Sequence, residues 1–321
     1  RSEVVVMNSL TTNLHLLMLS FFKPKNNKNC IIIDTPTFSS DKFAVQSQLK
    51  LNNLDPSNHL IEINTFYNNK CKSNNQILSD IEKKIDNAAM ILLSGVNYYT
   101  GQFYDIKSIA KLCQKHNCVL GLDLAHAAGN VELKLNKWGV DFASWCGYKY
   151  LNGGPGAPSG IFVHEKHNDK NLNRLEGWWG HDRSKRFDPP KKFSPLIGAE
   201  GWQLSNPPIL SMAALRSSTD LFNSIDMNVF FEKRKKMTGY LEYLINNINK
   251  DIQIITPEDE NCRGAQLSIK FNSKKKNIEN YFYSKNIIID FRKPDVMRIA
   301  PSPLYNSYTD IYNFVSELKK I

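Results

Sequence analysis

The amino-acid sequence predicts an α/β protein with a mixed, mostly parallel sheet in a large domain, followed by a smaller α+β domain. In the first two-thirds of its 321 residues, short apolar runs alternate with amphipathic runs of helical period. Strands that are apolar throughout are typical of parallel sheets covered by helices on both faces. From about residue 224 a long helix, three strand-like runs and a terminal helix form a second pattern. We therefore expect a large domain at 1–223 and a small C-terminal domain at 224–321.

Periodicity and turn residues place the individual elements along the chain. The predicted helices span 12–22, 41–51, 76–85, 105–116, 209–222, 229–247 and 309–319. The predicted strands span 30–34, 60–63, 89–94, 118–124, 142–146, 160–164, 252–255, 265–271 and 287–290. Residues 165–188 are polar and aromatic, and we interpret them as an ordered excursion from the sheet.

Composition and charge argue against several classes of function. The net charge is +10, but the basic residues do not form one block interleaved with aromatic residues, so no nucleic-acid partner is expected. No apolar run reaches the roughly 18 residues of a membrane span, so no membrane partner is expected. The six cysteines contain no CxxC pair, which favours free thiols in a reducing compartment and no metal site. We expect a cytoplasmic protein. The chain opens without methionine, which suggests that further sequence precedes it.

Two charged residues at predicted strand ends carry the strongest chemical signal. Lys149 follows an apolar strand and precedes a glycine-rich turn, and Asp123 ends another apolar strand 26 residues upstream. Taken singly, a lysine covering apolar surface and an acid capping a helix are the ordinary interpretations. Together they indicate a pyridoxal phosphate (PLP) site, in which the amine holds the aldehyde as a Schiff base and the acid keeps the pyridine nitrogen protonated.

A phosphate group needs hydrogen-bond donors, and the start of the first helix provides candidates. Ser9 and Thr11 stand there, where hydroxyls and free backbone N–H groups form an anion site. Ordinary N-capping by these hydroxyls is the alternative. Ser94 and Tyr148 would add hydroxyl donors. Trp178 would add an indole N–H, unless it is simply a packed aromatic residue.

The cofactor ring and the substrate need partners of their own. Phe38 follows a strand in a turn, where its ring would stack on the pyridine, although a core phenylalanine fits the same pattern. Arg298 lies within an apolar stretch of the small domain. A guanidinium binds a carboxylate through two parallel hydrogen bonds, and a buried structural ion pair is the other interpretation.

These residues together resemble kynureninase, a fold-type-I PLP-dependent enzyme of transferase-like fold, over nearly the whole chain. Eight runs carry the resemblance in the right order. They lie at 7–17, 94–102, 123–127, 138–143, 148–152, 177–181, 205–208 and 298–307. The family's proteins carry about a hundred further residues before the point that matches the start of this chain. Those residues contribute to the small domain, to substrate contacts and to the dimer.

The resemblance implies a role for each matched residue. Lys149 would be the Schiff-base lysine, and Asp123 would hold the pyridine nitrogen. The expected cofactor-binding residues are Leu10, Thr11, Phe38, Ser39, Ser40, Asp41, Ser94, Asp123, His126, Tyr148, Lys149, Trp178 and Asn206. Trp178 and Asn206 would come partly from the neighbouring subunit, which implies a homodimer with shared active sites. Arg298 would bind the substrate carboxylate, and Asn206 is suggestive as a partner for a ring hydroxyl.

The implied activity is hydrolytic Cβ–Cγ cleavage of L-kynurenine or 3-hydroxykynurenine, a step of tryptophan catabolism and NAD biosynthesis. The products would be anthranilate or 3-hydroxyanthranilate and L-alanine, with Lys149 moving the Cα proton and Tyr148 protonating the departing carbon. Two alternatives remain open at this point. One is another fold-type-I enzyme such as a cysteine desulfurase, although the nearest thiol, Cys146, stands on a strand and not on a mobile loop. The other is a non-catalytic fragment that keeps the cofactor pocket.

Overall fold

The computed structural model describes residues 2–25, 27–168, 171–189, 192–248, 252–272 and 277–321. Its α-helices are α1 (Leu10–Phe21), α2 (Ser39–Leu51), α3 (Pro56–His59), α4 (Asn74–Glu82), α5 (Ile106–Lys115), α6 (Leu135–Trp138), α7 (Ile209–Asn223), α8 (Met227–Asn246), α9 (Ile278–Ser284) and α10 (Tyr308–Leu318). Its strands are β1 (Val4–Val6), β2 (Cys30–Thr35), β3 (Leu60–Asn64), β4 (Phe66–Tyr67), β5 (Lys70–Cys71), β6 (Ala88–Ser94), β7 (Val119–Asp123), β8 (Phe142–Trp145), β9 (Gly160–Val163), β10 (Ile252–Ile254), β11 (Leu267–Phe271), β12 (Asp290–Arg292) and β13 (Val296–Ile299).

The large sheet has seven strands in the order β1-β9-β8-β7-β6-β2-β3. The five strands from β8 to β3 run parallel, and β9 is antiparallel to both of its neighbours. The chain places β3 on one side of β2 and β6 on the other, so the strand order reverses between β2 and β6. Open α/β sheets bind ligands beyond the carboxyl ends of their strands at such a reversal.

Helices cover both faces of this sheet, because its strands are apolar on both sides. On one face, Ile77 and Ile81 of α4 pack with Ile106 and Ile109 of α5. On the other face, residues of α1 and α2 such as Leu14, Leu17 and Val45 pack against the sheet. The predicted fold class is confirmed: the large sheet is mixed and mostly parallel, and an antiparallel sheet follows it near the C-terminus.

The second sheet has four antiparallel strands in the order β10-β11-β13-β12. Met237 and Leu241 of α8, Phe282 of α9 and Phe314 of α10 pack on one of its faces. All of these elements follow the end of α7. We therefore propose that the chain divides into domains 1–223 and 224–321.

Some predicted boundaries were wrong. A strand was predicted at 287–290, but β12 begins at Asp290, and Ile288 is exposed. Pairing with the unpredicted strand β13 fixes the position of β12. The strand β1 was also missed, since three valines give too short a run to predict a strand. None of the helices in the described part of the chain combines the length and hydrophobicity that a membrane crossing requires.

Candidate active site

A cavity of about 360 Å³ lies at the carboxyl ends of the parallel strands, between the large sheet and the second sheet. It is lined by Ser9, Leu10, Thr11, Phe38, Ser40, Ser94, Val96, Tyr98, Asp123, Ala125, His126, Cys146, Tyr148, Lys149, Asp290, Arg292 and Arg298. Ten of the predicted site residues therefore line one cavity: Leu10, Thr11, Phe38, Ser40, Ser94, Asp123, His126, Tyr148, Lys149 and Arg298. A larger, more open cavity of about 1240 Å³ is lined by polar and apolar residues of the second sheet and its helices, and Asp290, Arg292 and Arg298 line both cavities.

Lys149 lies in the loop that leaves β8 and points its amine into the cavity. Its Nζ is 3.1 Å from Nε2 of His126 and 5.8 Å from the centre of the Phe38 ring. The pKa of His126 lies well below its ordinary value, because of burial first and the positive charge of Lys149 second. His126 is therefore a neutral imidazole at neutral pH. Its other nitrogen, Nδ1, is buried and has no partner among the described residues.

Asp123 ends β7 and is buried at the base of the cavity. Its Oδ1 accepts a 2.7 Å hydrogen bond from the backbone N–H of Ala125, which orients the carboxylate. Asp41, in the first turn of α2, is also buried. Burial, and then the negative charge of Asp123, raise the pKa of Asp41 well above its usual range. Asp41 is thus biased towards its protonated form.

A third buried acid, Asp34, is hydrogen-bonded to the cavity-lining residue Ser94. Asp34, near the end of β2, accepts hydrogen bonds from Ser94, from Asn97 at 2.9 Å and from the Tyr104 hydroxyl at 2.9 Å. Burial raises the pKa of Asp34, and its hydrogen-bond donors partly oppose the effect. Sequence reasoning missed this network, although Asp34 follows an apolar strand just as Asp123 does. The network joins β2 to the loop after β6 and thereby fixes Ser94.

The opposite end of the cavity is formed by the start of α1. Ser9 is the N-cap residue, but its side chain makes no capping hydrogen bond, so the first backbone N–H groups of α1 are not satisfied by it. Thr11 Oγ1 lies 2.7 Å from Ser40 Oγ. The ordinary capping interpretation of Ser9 is therefore wrong. A helix start that its N-cap side chain leaves uncapped, with two hydroxyls beside it, is suited to an anion.

Tyr148 precedes the lysine and is half-exposed at the cavity wall. A hydrogen bond to the thiol of Cys146, followed by burial, raises the pKa of Tyr148 to about 12. The phenol therefore keeps its proton at neutral pH and is available as a donor.

Arg298 lies on β13 with its side chain only 9% exposed. Its Nη1 donates a 2.7 Å hydrogen bond to the backbone oxygen of Tyr98, and its Nη2 pairs with Asp290. Arg292 donates to the same Asp290 oxygen at 2.9 Å. The prediction from the sequence named Arg298 alone, because the strand at 287–290 ended too early and β13 was not predicted. The pairing of β12 with β13 brings Asp290 and Arg292 beside Arg298.

Four predicted residues do not line this cavity. Ser39 and Asp41 begin α2, immediately behind Phe38. The Trp178 indole donates to the backbone oxygen of Arg186 at 2.8 Å, and the residue is 47% exposed. Asn206 is exposed in the segment before α7. The expected contribution of Trp178 and Asn206 to a neighbouring subunit's site stays a prediction.

The cavity fits PLP. It combines an amine on one wall, a buried carboxylate at its base and a helix start with hydroxyl groups at one end. Two buried polar atoms, Oδ1 of Asp41 and Nδ1 of His126, have no partner in the described part of the chain. Among the described residues no group of His, Cys, Asp and Glu side chains is placed to hold a metal ion.

Comparisons with known proteins agree with this reading. Residues 231–318 match the model of the kynureninase C-terminal domain, and residues 1–139 match that of the DegT/DnrJ/EryC1/StrS aminotransferase family. The chain is 46% identical to a kynureninase of Myxococcus xanthus over 99% of its own length and 75% of the relative's length. It is 47% identical to a kynureninase of Koribacter versatilis, covering 98% of the chain and 74% of the relative.

Solved structures share the fold at much lower identity. A cysteine desulfurase from Thermococcus onnurineus superimposes with a TM-score of 0.80 at 16% identity, covering 99% of this chain and 79% of that one. A mutant of C-DES with glycine covalently linked to the PLP cofactor gives a TM-score of 0.83 at 13% identity, covering 100% of this chain and 81% of that chain. These two likenesses concern the fold alone. The identity to the kynureninases extends over nearly the whole chain, and the chain therefore belongs to the kynureninase family of PLP-dependent enzymes.

Proposed function

We propose that this protein cleaves the Cβ–Cγ bond of L-kynurenine or 3-hydroxykynurenine with one molecule of water. The hydroxyl of the water joins the carbonyl carbon to give anthranilate or 3-hydroxyanthranilate, and a proton joins Cβ to give L-alanine. Family membership at 46% identity is the observation that carries the proposal. The cavity supports it, because Lys149, Asp123 and Arg298 line the same space.

PLP, when bound, supplies an electrophilic aldehyde and a ring that accepts electrons from the substrate. Lys149 would hold it through Nζ, and Asp123 would hold its pyridine nitrogen in the protonated form. The N-terminus of α1, with Thr11 and Ser40, would hold the phosphate. Phe38, which lies beneath the Lys149 amine, would cover the ring.

Proton transfer in the proposed reaction would depend on side chains of the protein. Lys149, once free of the cofactor, would take a proton from the substrate Cα with its amine. Neutral His126 accepts a hydrogen bond from that amine at 3.1 Å and keeps it oriented. The Tyr148 hydroxyl, which is protonated at neutral pH, would give its proton to Cβ as the bond breaks. Arg298 would hold the α-carboxylate and so fix the substrate's orientation.

Only the fold favours the desulfurase alternative. A desulfurase needs a reactive and accessible thiol, whereas Cys146 is 2% exposed and burial raises its pKa. The similarity to desulfurases is confined to the fold.

The test is direct. The PLP-loaded protein should release fluorescent anthranilate and an equal amount of L-alanine from L-kynurenine, and no sulfide from L-cysteine. Parallel assays with 3-hydroxykynurenine give the substrate preference. Sulfide release would support the desulfurase alternative, and PLP binding without turnover would support a non-catalytic fragment.

A homodimer is part of the proposal. Phe187, Ile197, Ile209 and Leu210 are between 74% and 89% exposed, and they lie near Trp178 and Asn206 in the sequence. Large exposed apolar groups of this kind mark subunit interfaces. Light scattering should give twice the chain mass, and Leu210→Asp should lower it to the mass of one chain. The cytoplasm is the proposed location, because all six cysteines are free thiols.

A further inference from the structure

Three charged side chains lie together on the face of the second sheet that borders the cavity. Asp290 on β12 is the direct cross-strand neighbour of Arg298 on β13, and Arg292 lies two residues after Asp290. Residues two apart on a strand share a face, so all three side chains project to the same side. Phe291, which lies between Asp290 and Arg292, and its cross-strand neighbour Met297 pack in the apolar core on the other side.

The three groups are linked through one carboxylate oxygen. Oδ2 of Asp290 accepts hydrogen bonds from Nη2 of Arg298 and from Nη2 of Arg292. Burial alone would raise the pKa of Asp290, but its hydrogen bond with Arg298 and the charges of both arginines outweigh burial and lower it. Asp290 is therefore ionised at neutral pH, and the cluster of one acid and two guanidinium groups carries one net positive charge.

Two of the three nitrogens of the Arg298 guanidinium have hydrogen-bond partners, and the third has none among the described residues. Nη1 is committed to the Tyr98 oxygen, and Nη2 to Asp290, while Nε is buried without a partner among the described residues. Nε of Arg292 is also buried without a hydrogen-bond partner among the described residues. A bidentate carboxylate takes two neighbouring N–H groups of a guanidinium. Asp290 thus occupies one of the positions that an incoming carboxylate needs, and it leaves another one empty.

From this geometry, and on the basis of the proposed function, we propose that Asp290 is an internal carboxylate that bridges Arg298 and Arg292 in the free enzyme and is transferred wholly to Arg292 when an α-amino acid carboxylate binds at Arg298. Asp290 can make this move because its side chain is 41% exposed, whereas Arg298 is fixed and buried. Arg292 keeps Asp290 paired after the exchange, so no carboxylate is left unpaired. The incoming carboxylate neutralises the net positive charge of the cluster. Asp290 and Arg292 are positioning residues that act on the substrate through Arg298.

The experiment measures ligand affinity by calorimetry on the PLP-loaded protein, with L-alanine as the probe. Ethylamine is the matched probe that lacks the carboxylate. Asp290→Asn removes the internal competitor, so L-alanine should bind about two- to fivefold more tightly while ethylamine is unaffected. Asp295→Asn removes an equal charge from the same domain, where Asp295 pairs with Lys270 at 3.4 Å, and should leave both affinities unchanged.

Arg292→Gln tests the transfer itself. It leaves Asp290 with Arg298 alone, so L-alanine should bind several-fold more weakly than to the wild type. In the Asp290→Asn background the same change should have little effect. Equal weakening in both backgrounds would mean that Arg292 binds the ligand directly and would overturn the transfer.

Weaker binding of L-alanine by Asp290→Asn would overturn the proposal, since Asp290 would then hold Arg298 in its binding position. If neither the wild type nor Asp290→Asn prefers L-alanine to ethylamine, the proposal is also wrong. Anthranilate release from L-kynurenine by the wild type reports separately on the proposed function. That activity can be present while Asp290→Asn fails to tighten binding, which distinguishes the two failures.

Discussion

The amine of Lys149 lies 3.1 Å from Nε2 of His126, in a cavity where the imidazole is partly buried. The two side chains come from the loops after β8 and β7, which are adjacent parallel strands, so their meeting follows from the sheet order. A cationic neighbour and a low-dielectric surrounding both disfavour the charged imidazole. His126 therefore serves as a hydrogen-bond acceptor for the lysine.

The first prediction concerns stability at acidic pH. The folded-state pKa of His126 lies well below the unfolded value of 6.5, so the unfolded chain binds more protons once the pH falls below that value. The contribution of His126 to the free energy of unfolding is thus complete above about pH 7 and is lost as the pH falls, by at most about 1.4 kcal/mol per unit. His126→Gln should show a flatter decline between about pH 6.5 and 5 in urea titrations of the cofactor-free protein. If the free energy of unfolding fell equally with pH in the wild type and in His126→Gln, the imidazole of His126 would not be held neutral in the folded protein.

Lys149→Ala should abolish both the link to the cofactor and turnover. Borohydride treatment of the PLP-loaded wild type should leave the cofactor attached to the peptide that contains Lys149, as mass spectrometry would detect. Lys111→Ala is the matched control, because Lys111 is exposed on α5 and does not line the cavity. Attachment or turnover that survives Lys149→Ala would overturn the assignment.

The Asp34 network should contribute measurably to stability. Tyr104 is 1% exposed, and its hydroxyl lies 2.9 Å from Asp34 and 3.1 Å from Thr65. Tyr104→Phe keeps the ring and leaves a buried carboxylate short of one donor, which should cost about 1–3 kcal/mol of the free energy of unfolding. Tyr312→Phe, on the exposed face of α10, should change it by less than about 0.5 kcal/mol. If Tyr104→Phe left the free energy of unfolding unchanged, another donor would have replaced the phenol.

The parts of the site that were predictable from the sequence are those that depend on one strand at a time. Lys149 and Asp123 each follow an apolar run, and that pattern is visible without knowing which strands are neighbours. Asp34 has the same pattern, but its four donor groups belong to Ser94 at the end of β6 and to Asn97 and Tyr104 in the loop after it, and only the fold brings them to Asp34.

The second sheet was harder to predict for a physical reason. Ile287 to Ile289 have strong strand propensity, yet the strand starts at Asp290, because pairing with β13 decides the register. Once that register is known, Asp290 and Arg298 must be neighbours. The predicted roles of Trp178 and Asn206 depend on a second subunit and stay predictions.

Tyr148→Phe should lower kcat by about 100-fold at saturating PLP, which is the usual contribution of a positioned general acid. Because the pKa of Tyr148 is raised to about 12, the wild type should show no loss of kcat from this group at moderately alkaline pH. The dissociation constant of PLP, measured by equilibrium dialysis, separates a role at the phosphate from a role in proton transfer. An unchanged kcat with weaker PLP binding would assign Tyr148 to the phosphate alone.

Removing the guanidinium of Arg298 should chiefly weaken substrate binding. Arg298→Ala should raise KM for L-kynurenine by at least about tenfold, because a charge-assisted bidentate pair is lost and the partly buried Asp290 keeps only Arg292. Arg298→Lys keeps the charge but loses the planar pair of donors, so its KM should lie between those of Arg298→Ala and the wild type. Steady-state anthranilate release gives both constants, and the PLP absorbance spectrum checks that the cofactor site is intact. An unchanged KM in Arg298→Ala would place the carboxylate elsewhere in the cavity. Equal KM values for Arg298→Lys and the wild type would show that charge alone holds the carboxylate, without the fork geometry.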